Sequence, residues 1–524
     1  MKKIWLITTV VLLSCNATQR AAEKTDVTKK ADYNPLPYAK TITEMELKEM
    51  LFTYASDSFQ GRETGSPGQK KAVNYLKAKY KNMGIPAAKS DGNYFQQVPL
   101  QGSGVPNASI QVKGKNYTIG EDFVTFNGPN KIRLEKVKIT YAGYGIEDEN
   151  YSDYNNLDVK GKVVLIKSGE PKNTDGTYVI SGTNEASGTW SNLRKAFDAK
   201  ITLAKNKGAA GLLFYDSDNI NVLVSQYNYM KNRTGGRMQL IPKDEDSFFY
   251  FFINGEIATQ LYPNIAFENK PKEIATDLKV EFMGTSNPVD SENVIAWIKG
   301  SEKTDEYIVI SAHLDHEGIK NDAIYNGADD DGSGTVAILE IAEAFQKAYQ
   351  EGNGPKRSVV FLHVTAEEKG LLGSAYYTEN PVFPLSQTVA NLNIDMIGRT
   401  DPKREGDRNY VYLIGSDRLS KELHNLSEEI NTKYTNITLD YKYNDVNDPN
   451  RFYYRSDHYN FAKNNVPIIF YFNGTHDDYH RPSDTPDKIE YDLLANRTKL
   501  VFHTAWEIAN RENRVSLDNP VGSK

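Results

Sequence analysis

The sequence predicts an α/β protein: a mixed, mostly parallel central sheet sandwiched by helices, with a β-rich segment inserted between the first helices and the main run of strands. Three observations predict it. After Asn293, near-continuous apolar runs alternate with amphipathic helical stretches, the pattern of strands buried on both faces. From about 125 to 285, short strand-like runs are separated by Gly, Asn and Asp turns, which reads as a different body. The eight histidines fall at 313, 316, 363, 424, 458, 476, 480 and 503, with none earlier, so any metal chemistry belongs to the alternating part. The 524 residues carry 62 Lys+Arg and 69 Asp+Glu, a net charge of −7. That balance excludes a basic nucleic-acid binder. With 39% hydrophobic and 25% charged residues, the chain is not disordered, fibrous or a polytopic membrane protein. At roughly 150 residues per domain, two to four domains are expected.

Met1-Lys2-Lys3 precedes the largely apolar Ile4 to Leu13, then Ser14 and the only cysteine, Cys15. So short a run does not span a hydrocarbon core of about 30 Å, and it reads as a targeting segment. Its end resembles the lipobox of bacterial lipoproteins, although Leu13 is bulkier than usual. The resemblance implies a signal peptide over 1–15, lipidation at Cys15, a polar tether over 16–40 and membrane contact through a lipid anchor. The location would be periplasmic or cell-envelope, otherwise secreted. A single cysteine allows no internal disulfide.

Helical spacing of Met45, Leu47, Leu51, Phe52 and Ala55 predicts a first helix after Thr43. A turn-rich stretch from Asp57 to Gly68 leads to a second, with Ala72, Leu76, Tyr80 and Met83 on one face and Gly84 closing it. In the middle segment, strands are predicted at Val137 to Tyr141, Val163 to Ile166, Leu212 to Tyr215 and Phe248 to Ile253. Further on they are predicted at Val294 to Ile298, Tyr307 to Ser311, Val359 to Val364, Asn391 to Ile397, Tyr410 to Ile414 and Pro467 to Phe472. Helices are predicted at Thr335 to Tyr349, Leu419 to Tyr434 and Tyr491 to Asn510.

The strand ends carry the chemistry. One run leads into His313-Leu314-Asp315-His316, another into Glu367-Glu368, a third into Asp395; between the first two lies Asp329-Asp330-Asp331, just before a helix. In such sheets ligands gather beyond the carboxyl ends of the strands. So many carboxylates near one point repel unless a cation sits among them. Imidazole and carboxylate without thiolate suit Zn²⁺ or a similar ion in a catalytic site, and paired metals need a bridging carboxylate that this inventory contains. No His-Glu-x-x-His helix, Gly-x-Ser-x-Gly elbow or Walker loop occurs.

His313-x-Asp315, Gly327 to Gly334, Glu367-Glu368, Asn393 to Gly398 and Tyr479-His480 resemble the ordered motifs of the M28 zinc aminopeptidases. Arg455-Ser456-Asp457-His458 is similar to another block of that family, and Gly61-Arg62 with Gly65 to Gly68 to its amino-terminal segment. The resemblance implies a zinc-exopeptidase fold, phosphorylase/hydrolase-like, holding two Zn²⁺ per chain. Asp330 would bridge them, His313 and Asp395 would complete one shell, and Glu368 and His480 the other. Glu367 would be the general base, and Asp315 would orient the His313 ring. Arg455, Asp457 and Tyr479 are candidates for substrate contact. The partners implied are peptides with a free N-terminus and no nucleic acid; nothing in the sequence speaks to oligomeric state.

Tyr141 to Gly145, Leu157 to Leu165 and Ala204 to Leu212 resemble a protease-associated (PA) domain. The expected organisation is thus a first peptidase segment at 41–124, the PA domain at 125–285 and the metal-binding part at 286–515. Two other readings stand beside the aminopeptidase: a single-zinc glutaminyl cyclase, and an inactive receptor on the same fold. Retention of all five ligands and the inserted domain count against the cyclase, and an inactive receptor would be expected to lose ligands or the base. Of the remaining residues, His363 reads as a core histidine, and His424 and His503 as surface or packing residues. His316, His458 and His476 are divided between structural and near-site roles. Asp329 and Asp331 read as shaping the turn and capping the helix.

Overall fold

The computed structural model describes residues 33–232, 237–242 and 247–522. Cys15 and the rest of the 1–15 segment lie outside them. The stretch expected as a tether is described only from residue 33, and there it already packs. Tyr38 and Ala39 are buried, the Tyr38 ring lies 5.4 Å from that of Trp506, and Trp506 Nε1 donates to the Tyr33 carbonyl at 2.8 Å. An apolar ring with a tryptophan to cover anchors the chain earlier than its polar neighbours suggest.

The central sheet has nine strands: β1 Phe95–Ser103, β2 Arg237–Leu240, β3 Ser286–Ile298, β4 Lys303–His313, β5 Arg357–Val364, β6 Thr388–Ile394, β7 Tyr410–Ile414, β8 Thr438–Asp440 and β9 Ile468–Phe472. Their order is β2-β1-β3-β5-β4-β6-β9-β7-β8. The central strands β5, β4, β6 and β9 run parallel, while the pairings of β1 with β2 and β3, β3 with β5, and β7 with β9 are antiparallel. Successive residues of the parallel strands enter two separate cores. Ile308, Ile310 and Phe361 face one, Val309, Val360 and Leu362 the other, which is why these strands read as unbroken apolar runs.

Helices α1 Glu44–Tyr54, α2 Pro67–Met83, α3 Gly334–Gln350, α5 Lys421–Tyr434 and α7 Tyr491–Asn510 contribute to the first core; α4 Leu372–Glu379 and α6 His458–Ala462 contribute Tyr377 and Phe461 to the second. The starts are built as the residues dictate. Thr43 Oγ1 accepts from Glu46 N, and Ser66 Oγ from Gln69 N, each at 3.2 Å. Gly84 ends α2 at φ 74°, a left-handed position that suits glycine. No helix among the described residues is long and apolar enough to cross a membrane.

Strands β1 and β3 pair along their length from Phe95↔Val294 to Ser103↔Ser286, forming the ribbon through which the chain leaves and re-enters the main sheet. The first half of β3 is largely exposed, so its apolar pattern marks only 294–298. The inserted body holds a six-stranded sheet, whose central strands Ile139–Tyr141, Val163–Lys167, Gly211–Tyr215 and Phe249–Ile253 are parallel, and a four-stranded antiparallel sheet. It also contains helices Leu193–Asn206, Ile220–Lys231 and Gly255–Leu261. Its second sheet begins at Asn107, ahead of the expected border at 125. Strand β2, from within the insert's span, returns to the edge of the main sheet, where Leu240 pairs with Leu100.

Candidate metal centre

Four adjacent parallel strands deliver the site residues at their carboxyl ends. β4 ends on His313, β5 is followed by Glu367 and Glu368, β6 by Asp395, and β9 by the loop carrying His476, Tyr479 and His480. The turn Ala328–Ser333 brings in Asp330 just before α3, and the Asp330–Asp331 peptide is cis. Ala366, Met396 and His480 all have φ between 54° and 61°, a left-handed backbone that is uncommon for non-glycine residues. Two of them adjoin Glu367 and Asp395, and the third carries its own site imidazole.

The five expected ligands converge. His313 Nε2 lies 3.1 Å from Asp330 Oδ1 and 3.6 Å from Asp395 Oδ1. His480 Nε2 lies 3.1 Å from Asp330 Oδ2 and 3.2 Å from Glu368 Oε2. Asp330 thus faces one donor set with each oxygen. The buried atoms His313 Nε2, Asp330 Oδ2 and Glu368 Oε1 have no hydrogen-bond partner, and leaving such groups unpaired costs about 1–3 kcal/mol each. The donor types and the open valences together fit divalent cations such as zinc.

The His313 tautomer follows from its partner. Nδ1 lies 3.0 Å from the Asp315 main-chain carbonyl, which only accepts, so Nδ1 carries the hydrogen and Nε2 presents a lone pair. Asp315 thus meets the ring as expected, but through its main-chain carbonyl and not its carboxylate. Beyond the end of β4 the chain turns so that the carbonyl reaches the imidazole. The carboxylate instead accepts from Glu367 N at 3.1 Å and Thr64 Oγ1 at 2.8 Å, and so holds the Glu367 main chain.

The other two aspartates of the triplet are already used. Asp331 accepts from the main-chain N–H of His313, Gly334 and Met396 at 3.2, 2.9 and 3.0 Å. Asp329 accepts from Gly398 N at 2.7 Å and faces His476 Nε2 at 3.1 Å. Sequence reasoning missed Asp484, whose carboxylate receives the N–H groups of Asp329 and Asp330; nothing in the local pattern Ser483-Asp484-Thr485 sets it apart. Arg62 explains the amino-terminal motif. Its buried guanidinium donates to the carbonyls of Leu314, Asn326 and Gly327 at 3.1, 2.6 and 2.9 Å, clamping two site loops together.

Glu367 lines the cleft with Asp330, Asp395 and His480. Burial pushes its carboxyl well above the usual range, the charges of Glu368, Asp395 and Asp457 adding to the effect and His313 opposing it. The cleft wall is apolar, built from Met396, Phe452, Phe470 and Phe472, with Arg455, Thr475 and Tyr479 also lining it. The Tyr479 ring stacks on His480 at 4.0 Å. Burial and the carboxylates of Asp330 and Glu368 raise its phenol, keeping it a donor. Asp457 is a correction: it is 0% exposed, accepts from Ser374 Oγ and does not line the cleft, so it reaches no substrate. Burial raises its carboxyl to about 7. His363 lies in β5 with Nε2 2.7 Å from Tyr80 Oη, and His503 stacks on Tyr434 at 4.1 Å, both away from the cluster.

Residues 293–505 match the family model described as peptidase family M28, and residues 133–256 match that of the PA domain. A probable glutamate carboxypeptidase of Arabidopsis thaliana is 35% identical over 119 residues, 22% of this chain and 16% of that protein. Leucine aminopeptidase 1 of Penicillium rubens is 30% identical over 233 residues, 43% of this chain and 58% of that one. The chain thus spans less than two thirds of the length of each of these curated relatives. Among solved structures, the aminopeptidase from Aneurinibacillus sp. strain AM-1 aligns at 20% identity with a TM-score of 0.47, over 93% of this chain and 99% of that one. The segment that builds the histidine–carboxylate cluster thus matches peptidase family M28, and the body inserted ahead of it matches the PA domain.

Proposed function

We propose that the protein is a metal-dependent aminopeptidase, releasing the N-terminal residue of peptides with two Zn²⁺ and with Glu367 as general base. One observation carries the reading. Two donor sets, His313 with Asp395 and Glu368 with His480, share Asp330, while Glu367 opens onto the same cleft. When bound, the ions would supply a water acidified near neutral pH and a Lewis-acidic hold on the peptide carbonyl. Glu367 takes the proton of the attacking water and passes it to the departing amine. The carboxylates of Glu367 and Asp395 favour a free ammonium at this end of the cleft. Met396, Phe452 and Phe472 offer an apolar wall for the side chain beside it, and Tyr479 and Arg455 are donors for the carbonyl oxygen.

The retained second donor set speaks against a single-zinc cyclase, and the retained base against an inactive receptor. The test is bound zinc together with a panel of aminoacyl chromogenic substrates and their N-acetylated counterparts, with and without chelator. About two equivalents of zinc and chelator-sensitive release from free amino ends are expected. Cleavage of N-blocked peptides at their carboxyl end, or glutamine cyclisation with one equivalent, would overturn the reading.

We also propose export as a lipoprotein anchored through Cys15, on the strength of the Lys2-Lys3, apolar, Ser14-Cys15 order. Cys15→Ser should move the protein from the membrane fraction to the soluble one; unchanged partitioning would refute the anchor.

A further inference from the structure

His316 stands outside the five expected ligands, yet it is built like one of them. Its side chain is 0% exposed, and neither ring nitrogen has a hydrogen-bond partner. Nδ1 lies 2.8 Å from Glu368 Oε1 and 3.8 Å from Asp330 Oδ2. Despite the short approach, Nδ1 and Oε1 do not meet the full geometry of a hydrogen bond. His313 Nε2 behaves in the same way, 3.1 Å from Asp330 Oδ1 and unpartnered. Donor atoms this close and left without a satisfied hydrogen bond have the spacing of two ligands of one ion. Ligands at about 2.1 Å from a tetrahedral ion sit roughly 3.4 Å apart and face the ion instead of one another.

The surroundings keep the ring there. Its face is packed against Gly327, where a Cβ would come within 2.5 Å of His316 Cγ and Cδ2, so only glycine leaves the imidazole its place. The ring lies edge-on to that of His480, with centroids 5.7 Å apart. His316, Asp330 and Glu368 present their donor atoms within 4.8 Å of one another.

We propose that His316 is a third imidazole ligand of the centre, binding through Nδ1 the same ion as Asp330, Glu368 and His480. The assignment rests on the two-metal reading above. It makes the two ions unequal: one has a single histidine, the other two, and the second should be the more tightly held.

The test is X-ray absorption on the full-length protein loaded with zinc, which counts imidazole scatterers directly. Three histidines over two ions give a mean of about 1.5 imidazoles per zinc; a mean of about 1 would overturn the proposal and leave two metals in place. A protein that takes up a single zinc overturns the two-metal reading itself, a separate and recognisable outcome. Chelator competition on His316→Ala gives a second measurement. Affinity for the ion at Glu368 should fall more than the roughly 10- to 100-fold that loss of a supporting hydrogen bond costs, with the imidazole count falling too. A smaller loss with an unchanged count would make His316 a positioning residue for Glu368. If the variant does not fold, the count on the unmodified protein still decides.

Discussion

The carboxyl edge of the central sheet and the core of the PA domain both bury charged side chains, but they treat them differently. In the PA domain, Asp153 accepts from the N–H groups of Tyr144 and Ile146 and from the Tyr151 hydroxyl. Asp216 accepts from the N–H groups of Asp218 and Asn219 and from the Asn219 amide. Buried Lys200, drawn down to about 8 by burial, donates to the Gly169 carbonyl. Those charges are matched by the protein itself. At the sheet edge, His313, His316, Asp330 and Glu368 keep open valences aimed at a shared space. Buried charge alone therefore does not mark a site; several unmatched donors of metal-binding type converging on one space do. Two consecutive residues repeat the contrast, since Asp331 is saturated by three main-chain donors while Asp330 keeps an oxygen open.

The largest expected effect comes from removing the shared carboxylate. Asp330→Ala should lose bound zinc and with it on the order of 10⁴-fold or more of turnover; a variant that still holds two ions would show that the donor sets do not meet there. Glu367→Gln should retain zinc and lose about 10³- to 10⁴-fold in kcat. Near-normal turnover would remove the general base from the mechanism.

On the other side of the comparison, Asp153→Asn should destabilise the protein by about 1–3 kcal/mol in denaturant unfolding, with zinc content and kcat unchanged. Loss of metal would mean that the two regions are coupled and would break the contrast. A pH-dependent effect concerns Glu340 on α3, whose carboxylate accepts from Thr43 N at 3.2 Å. Burial raises it from 4.5 to about 8. The folded protein therefore holds a proton that the unfolded chain releases. Its contribution to stability is complete below about pH 4.5 and is lost as the pH climbs through 8. Glu340→Gln should flatten that loss, being more stable than the parent at pH 9 and nearly equal at pH 4; thermal melts at the two values check it, and equal differences would refute the sign.

The sequence by itself determined the alternation of strands and helices, because strands buried on both faces must be apolar at every position. It also brought forward the candidates for the centre, because His313, Glu367, Glu368 and Asp395 sit at or just after such strands and the aspartate triplet just before a helix, while the choice of Asp330 and the place of His480 followed from the resemblance of the ordered motifs. The tertiary structure decided what depends on direction and on distant partners. The main-chain carbonyl of Asp315, not its carboxylate, meets His313, since a turn sets which group points at the ring. Asp457 is enclosed behind the cleft by Ser374, 83 residues away. Strand β2 joins the main sheet through main-chain pairing that leaves no side-chain signature. Which aspartate of Asp329-Asp330-Asp331 stays open is likewise settled by the N–H groups of His313, Gly334, Met396 and Gly398, brought to Asp331 and Asp329 only when the sheet is assembled. Periodicity and motif order are local and survive in the sequence; the satisfaction of buried polar atoms is a property of the assembled fold.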